Sequence, residues 1–241
     1  MKNIITIGLT SSALLIGAYE VQAATFVDSF NHGKVDLEVT HKDVSESMSV
    51  IGSEILGDER DVLLEFTPPT PGAATVKIDL DMTEDDFRHN NEVDVASVAT
   101  VTYDGVDDNG LGGGSGIDLL TLGSKFTLDI QAIDLTAELG IALMDVNGNT
   151  NSIFYDELEE GIVEFDFTDF NNVDLSKIST ITFQSNSTNS EDLRVDTLLI
   201  EGTPTTDDPN PNPDPKPTPE PATLLGLLFS LTCGALYKKK K

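Results

Sequence analysis

From Ala24 to Glu201 apolar and polar residues alternate in short runs. "KVDLEVT" sets Val35, Leu37 and Val39 on one side; "VKIDLD" does so with Val76, Ile78 and Leu80, and "KFTLDI" with Phe126, Leu128 and Ile130. In "IVEFDF", Val163, Phe165 and Phe167 face one way and Glu164 and Asp166 the other, and "LRVDTLLI" closes the region. A period of two is the signature of a half-buried strand, because successive side chains leave a strand on opposite faces. No stretch carries a 3.6-residue period. "TAELGIAL" looks helical at first, but Gly140 and its strand-like neighbours favour a strand. "DMTEDDFRHNNE" and "FTDFNNVDLSKI" read as turn-rich, with one short helical turn each. The pattern predicts roughly ten to twelve strands. The expected fold is all-β: a single antiparallel sandwich, jelly-roll-like, over residues 24–201.

The outer faces are acidic. The formal charge is −28, from 14 Lys/Arg against 42 Asp/Glu. Five of those cations lie in the end segments, at Lys2 and Lys238 to Lys241. A body so anionic repels nucleic acid and anionic lipid and excludes both as partners. The single cysteine, Cys233, lies outside the alternating region, so the sandwich has neither disulfide nor thiolate chemistry.

Both ends read as addresses. Lys2, an apolar run from Ile4 to Ala18 and the small residues of Val21-Gln22-Ala23 form a signal peptide over 1–23, cut by signal peptidase between Ala23 and Ala24. Residues 202–218 are rich in proline, which fixes φ and removes donors, so they read as an extended disordered stalk. Beyond it, Ala222 to Tyr237 has no charge and stops at Lys238, Lys239, Lys240 and Lys241. This is a hydrophobic helix, slightly short for a bilayer, whose lysines stay cytoplasmic and leave the body outside. Retention as a transmembrane anchor is the alternative to removal.

Pro219, Glu220 and Pro221, followed directly by that helix and the basic end, resemble the PEP-CTERM sorting signal of exopolysaccharide-producing Gram-negative bacteria. The resemblance implies that residues 219–241 are recognised by an exosortase at the inner membrane and removed, and that the protein passes to the cell surface or extracellular matrix. The family's basic cluster is usually arginine-rich; here it is all lysine. More loosely, "FVDSF", "ILGDERDVLLEF", "NGLGGGSGIDLLTLGSKFTLDI" and "LRVDTLLIE" resemble β-sandwich domains that carry such tails, a likeness that assigns no sites.

Catalytic constellations are thin. The histidines are His32, His41 and His89, none beside a Gly-flanked nucleophile or in a zinc spacing, and each is expected at the surface. A glycoside hydrolase would rest only on the surplus of carboxylates. Two loops offer hard oxygen ligands for Ca²⁺: Asp104, Asp107, Asp108 and Asn109 in one, and Asp145, Asn147, Asn149 and Asn151 in the other, with Asp156 eleven residues on. Asn-Gly and Asp-rich loops are equally ordinary hairpin turns, so both readings stand. Arg60, in "DERD", is expected to pair with Asp58, Glu59 or Asp61, or to sit in a solvated turn.

The expected function is non-catalytic: an exported, exosortase-sorted protein with a structural or binding role linked to exopolysaccharide or biofilm. A carbohydrate-binding module, with or without Ca²⁺, is the alternative. The absence of tryptophan and the scarcity of tyrosine weigh against it, since sugar-binding faces commonly present aromatic rings.

Overall fold

A computed structural model describes residues 24–40, 45–67, 72–78, 86–134, 137–156, 158–187 and 192–204. The signal peptide 1–23 with its cut at Ala23, most of the stalk, the sorting residues and the hydrophobic segment lie outside the described residues. Among the described residues no helix is long and apolar enough to cross a membrane.

Among the described residues, thirteen strands form two antiparallel sheets packed as a sandwich. The first sheet contains β1 (Thr25–Asp28), β2 (Val35–Thr40), β5 (Ala73–Ile78), β6 (Phe87–Asn91), β8 (Lys125–Asp134), β11 (Gly161–Asp166) and β13 (Asp192–Glu201). Its order is β11-β8-β13-β6-β5-β2, with β1 also on β13. The second sheet contains β3 (Ser45–Ile51), β4 (Glu59–Thr67), β7 (Ala96–Tyr103), β9 (Ala137–Asp145), β10 (Thr150–Tyr155) and β12 (Ile178–Ser187). It runs β10-β9-β12-β7-β4-β3.

The alternation read from the sequence is the burial pattern. Val35, Leu37 and Val39 are buried while Asp36 and Glu38 face water. Val76, Ile78, Phe126, Leu128, Ile130 and Phe165 are buried likewise. Strand β13 shows why its pattern slips. Leu193 and Val195 point inward, then Leu198 and Ile200, with a register shift between Val195 and Leu198. A bulge absorbs one extra residue and re-phases the strand. The two halves then pair differently on one side: Asp192 to Val195 with β6, Leu198 to Ile200 with β1. Aromatic rings lock the sheets together, with Phe87 and Phe183 edge-on at 5.2 Å and Phe30 5.7 Å from Phe87.

One of the two turn-rich readings is corrected. "DMTEDDFRHNNE" is not a turn throughout: Phe87 to Asn91 is β6, hydrogen-bonded between β5 and β13. Its polar residues disguised a strand because His89 and Asn91 fill inward positions that apolar residues usually occupy. "FTDFNNVDLSKI" does contain short 3-10 turns, at Phe167–Asp169 and Leu175–Lys177.

Candidate functional site

The outer face of the second sheet is a continuous surface built across its six strands. In β9, Leu139, Ile141 and Leu143 are buried in the core, so Glu138, Gly140, Ala142 and Met144 lie on the outer side. Strand pairing then assembles rows across the sheet. One row runs Phe154, Gly140, Gln184, Thr100, Leu63, Ser47. The next runs Ser152, Ala142, Thr182, Thr102, Asp61, Ser49. A third, one strand shorter, runs Glu138, Asn186, Val98, Glu65, Ser45. Gln184 Nε2 donates to Asn186 Oδ1 at 2.6 Å, and Asn186 Nδ2 donates to Glu138 Oε2 at 2.5 Å, which orients the amides along the sheet.

Phe154 heads the first row. Its neighbours Ile153 and Tyr155 pack against the core, so its ring lies on the outer side, 36% exposed. It covers Gly140 directly opposite: a Cβ on Gly140 would collide with the ring's Cγ, Cδ1 and Cε1. The glycine that favoured a strand for "TAELGIAL" is thus the seat of an aromatic ring. The scarce tyrosines of residues 24–201 are Tyr103 and Tyr155. Both turn inward: Tyr103 is buried and Tyr155 stacks 4.8 Å from Phe165. The signal that could have found Phe154 is its place opposite Gly140 in a hairpin.

At the loop end of this face, Ser47, Ser49, Asp61, Thr102, Asp104 and Asp108 line a shallow hollow. Asp104 and Asp108 also line an adjoining one with Asn109, Met144, Asp145 and Ser179. The loop is held by Glu59, whose Oε2 accepts from the Asp107 N–H at 2.6 Å. Its turn needs left-handed backbone at Gly105, Asp107 and Asp108 in near succession, a conformation that glycine and short acidic residues tolerate best. Of the four residues expected to share a cation here, the structure brings together two, Asp104 and Asp108, and adds Asp61 from β4. Ligand oxygens of these three lie within 4.8 Å of one another. Asp107 is not in that group, and the Asn109 side chain donates to the Val106 carbonyl at 2.7 Å. Burial pushes the Asp104 carboxyl up, and Asp108, Asp61 and Glu59 push it further; Asp61 is raised by burial first as well. The buried Asp104 Oδ1 has no hydrogen-bond partner. Three carboxylates so placed could share a proton or hold a hard cation.

The second loop is closed by its own hydrogen bonds. Asp145 Oδ1 accepts from the N–H groups of Asn147 (2.8 Å) and Asn149 (3.1 Å), and Oδ2 from Asn149 Nδ2 (2.8 Å) and the Asp174 N–H (3.1 Å). These bonds, Asn149's first, draw the carboxyl down to about 2. The Asn151 side chain donates to the Asn171 carbonyl instead. Asp145, Asn147 and Asn149 are therefore a turn-closing set.

His89 corrects the expectation that the histidines are surface residues. It is buried between the sheets, with Nε2 2.7 Å from Ser97 Oγ and Nδ1 2.9 Å from Ser185 Oγ. Ser97 gives its own proton to Asn91 Oδ1 at 2.6 Å, so its oxygen accepts from Nε2–H, and Nδ1 accepts from Ser185. Burial lowers the ring's pKa to about 4. A neutral imidazole sealed with both serines ties β6 to β7 and β12, and has no path to a substrate. Arg60 is also not where its local sequence suggests: it is buried and paired with Asp28.

No family model and no curated protein matches this chain. Among solved structures, the family 11 carbohydrate-binding module of a cellulosomal cellulase of Clostridium thermocellum overlaps 75% of this chain and 96% of its own, at 14% identity and a TM-score of 0.36. A module called TmCBM61, in complex with β-1,4-galactotriose, overlaps 69% and 88%, at 9% identity and 0.31. An exo-β-agarase overlaps 88% of this chain and 31% of its own, at 10% identity and 0.37. No property of those proteins transfers to this chain through overlaps of this kind.

Proposed function

We propose that the sandwich is a non-catalytic, jelly-roll-like body that binds polysaccharide, carried by an exported protein. The observation that carries this reading is the outer face of the second sheet. It presents ordered rows of hydroxyl and amide side chains, an exposed ring and a hollow at one end, on a rigid support. Sugars offer hydroxyls on their edges and C–H groups on their faces, and such a surface answers both. Calorimetry of the full chain against soluble polysaccharides, in chelator and in millimolar Ca²⁺, is the test. Heat with saturable stoichiometry is expected; flat traces throughout would remove the reading.

Export rests on the sequence segments. The signal peptide delivers the body across the inner membrane, and Pro219, Glu220 and Pro221 with the lysine end present it to an exosortase. Mass spectrometry of the mature protein should find an N-terminus at Ala24 and a new C-terminus near Glu220. A full-length mass confined to the inner membrane, unchanged on exosortase deletion, would overturn the sorting.

A further inference from the structure

Resting on that polysaccharide-binding reading, we infer that the ligand is an uncharged polysaccharide, and that Phe154, seated on Gly140, is the residue that stacks against it. Positive charge is segregated between the two sheets, while both carry acids. The strands of the first hold Lys77, Arg88, Lys125 and Arg194. Among the described strands of the second, the only basic residue is Arg60, which is buried. Among the described residues its strands bring no cation to the outer face with which to meet a uronate or sulfated polymer, and their carboxylates, Asp61, Glu65 and Glu138, repel one.

The row headed by Phe154 carries no charge of either sign from β10 to β3. Six strands at their usual spacing make that row about 24 Å long, the reach of an extended chain rather than of one sugar. A cationic polymer would gain from the acids of the flanking rows but would find nothing along this one. Phe154 sits at one end, with its ring held against the glycine and its other side in water. A ring so held loses little rotamer freedom when a pyranose face settles on it.

The test is calorimetry of the full chain against an uncharged mixed-linkage β-glucan, alginate and chitosan. The β-glucan should bind best. Phe154→Ala should weaken it about tenfold, a change of about 1.4 kcal/mol, while the chain still melts cooperatively, at a midpoint lowered by the loss of the ring's cover over Gly140. Phe154→Tyr should restore binding. Gly140→Ala, which unseats the ring while keeping it, should weaken binding too. Wild-type affinity in Phe154→Ala, or a preference for alginate or chitosan, overturns this inference and leaves polysaccharide binding standing. No binding to any of the three overturns both. Light scattering of the same variants adds one outcome: a changed oligomeric state in Phe154→Ala would make the face a contact between copies of this chain and overturn the inference.

Discussion

Arg60 Nη1 lies 2.8 and 2.7 Å from the two carboxylate oxygens of Asp28, and both side chains are out of water. The pair joins β4 of one sheet to β1 of the other. Arg60 Nη2 also donates to the carbonyls of His32 (2.5 Å) and Gly33 (2.6 Å), and Asp28 accepts from the Phe30 N–H and the Tyr103 hydroxyl. Removing one partner leaves a buried charge unanswered, whereas removing both does not. Arg60→Met is expected to cost about 3–5 kcal/mol in urea unfolding. The Arg60→Met, Asp28→Leu double variant should recover a large part of that. A double variant as unstable as the single one would show that the loss is packing rather than charge.

His89 sets an acid limit on the fold. Its folded pKa of about 4 is below the ordinary 6.5, so the unfolded chain takes up the proton first. The stability it contributes is whole above pH 6.5, falls as pH drops, and is gone below about 4. At 1.36 kcal/mol per unit this is about 3 kcal/mol. Urea midpoints at a series of pH values should show this loss, and His89→Gln should flatten it. A slope unchanged in His89→Gln would place the titration elsewhere.

Asp61 and Asp104 work in the opposite sense. Their raised carboxyls contribute most once protonated, so the stability tied to them is lost as pH rises through their folded values. Asp104→Asn is therefore expected to stabilise the fold at neutral pH by up to about 1 kcal/mol for partly solvated charges, read as a higher melting midpoint. The gain should shrink in high salt. A lower midpoint for Asp104→Asn would mean that the carboxylate is needed as an acceptor.

Asp145 closes the β9–β10 hairpin with four accepted hydrogen bonds. Asp145→Ala should lower the midpoint by the same amount in chelator and in millimolar Ca²⁺. Because its folded pKa is depressed to about 2, the contribution of Asp145 is present above the ordinary 3.8 and is lost as pH falls toward 2. A midpoint difference that appears only with Ca²⁺ would return this loop to the cation sites.

What was legible in the sequence was local. Period-two runs named most strands and their inward residues, because a side chain's face depends only on its position along its own strand. They failed at β6, where His89 and Asn91 are buried by finding hydroxyls and a carbonyl to bond, a compensation that hydropathy does not register.

The sequence by itself determined that the chain would make acidic, half-buried strands around an apolar core. Only the tertiary structure decided which strands became neighbours. Arg60 met Asp28, 32 residues away, instead of the acids beside it; Asp61 joined Asp104 and Asp108 across β4 and β7; Phe154 found Gly140. Strand pairing in a sandwich is non-local, and a period of two fixes which way a residue points but not what it points alongside.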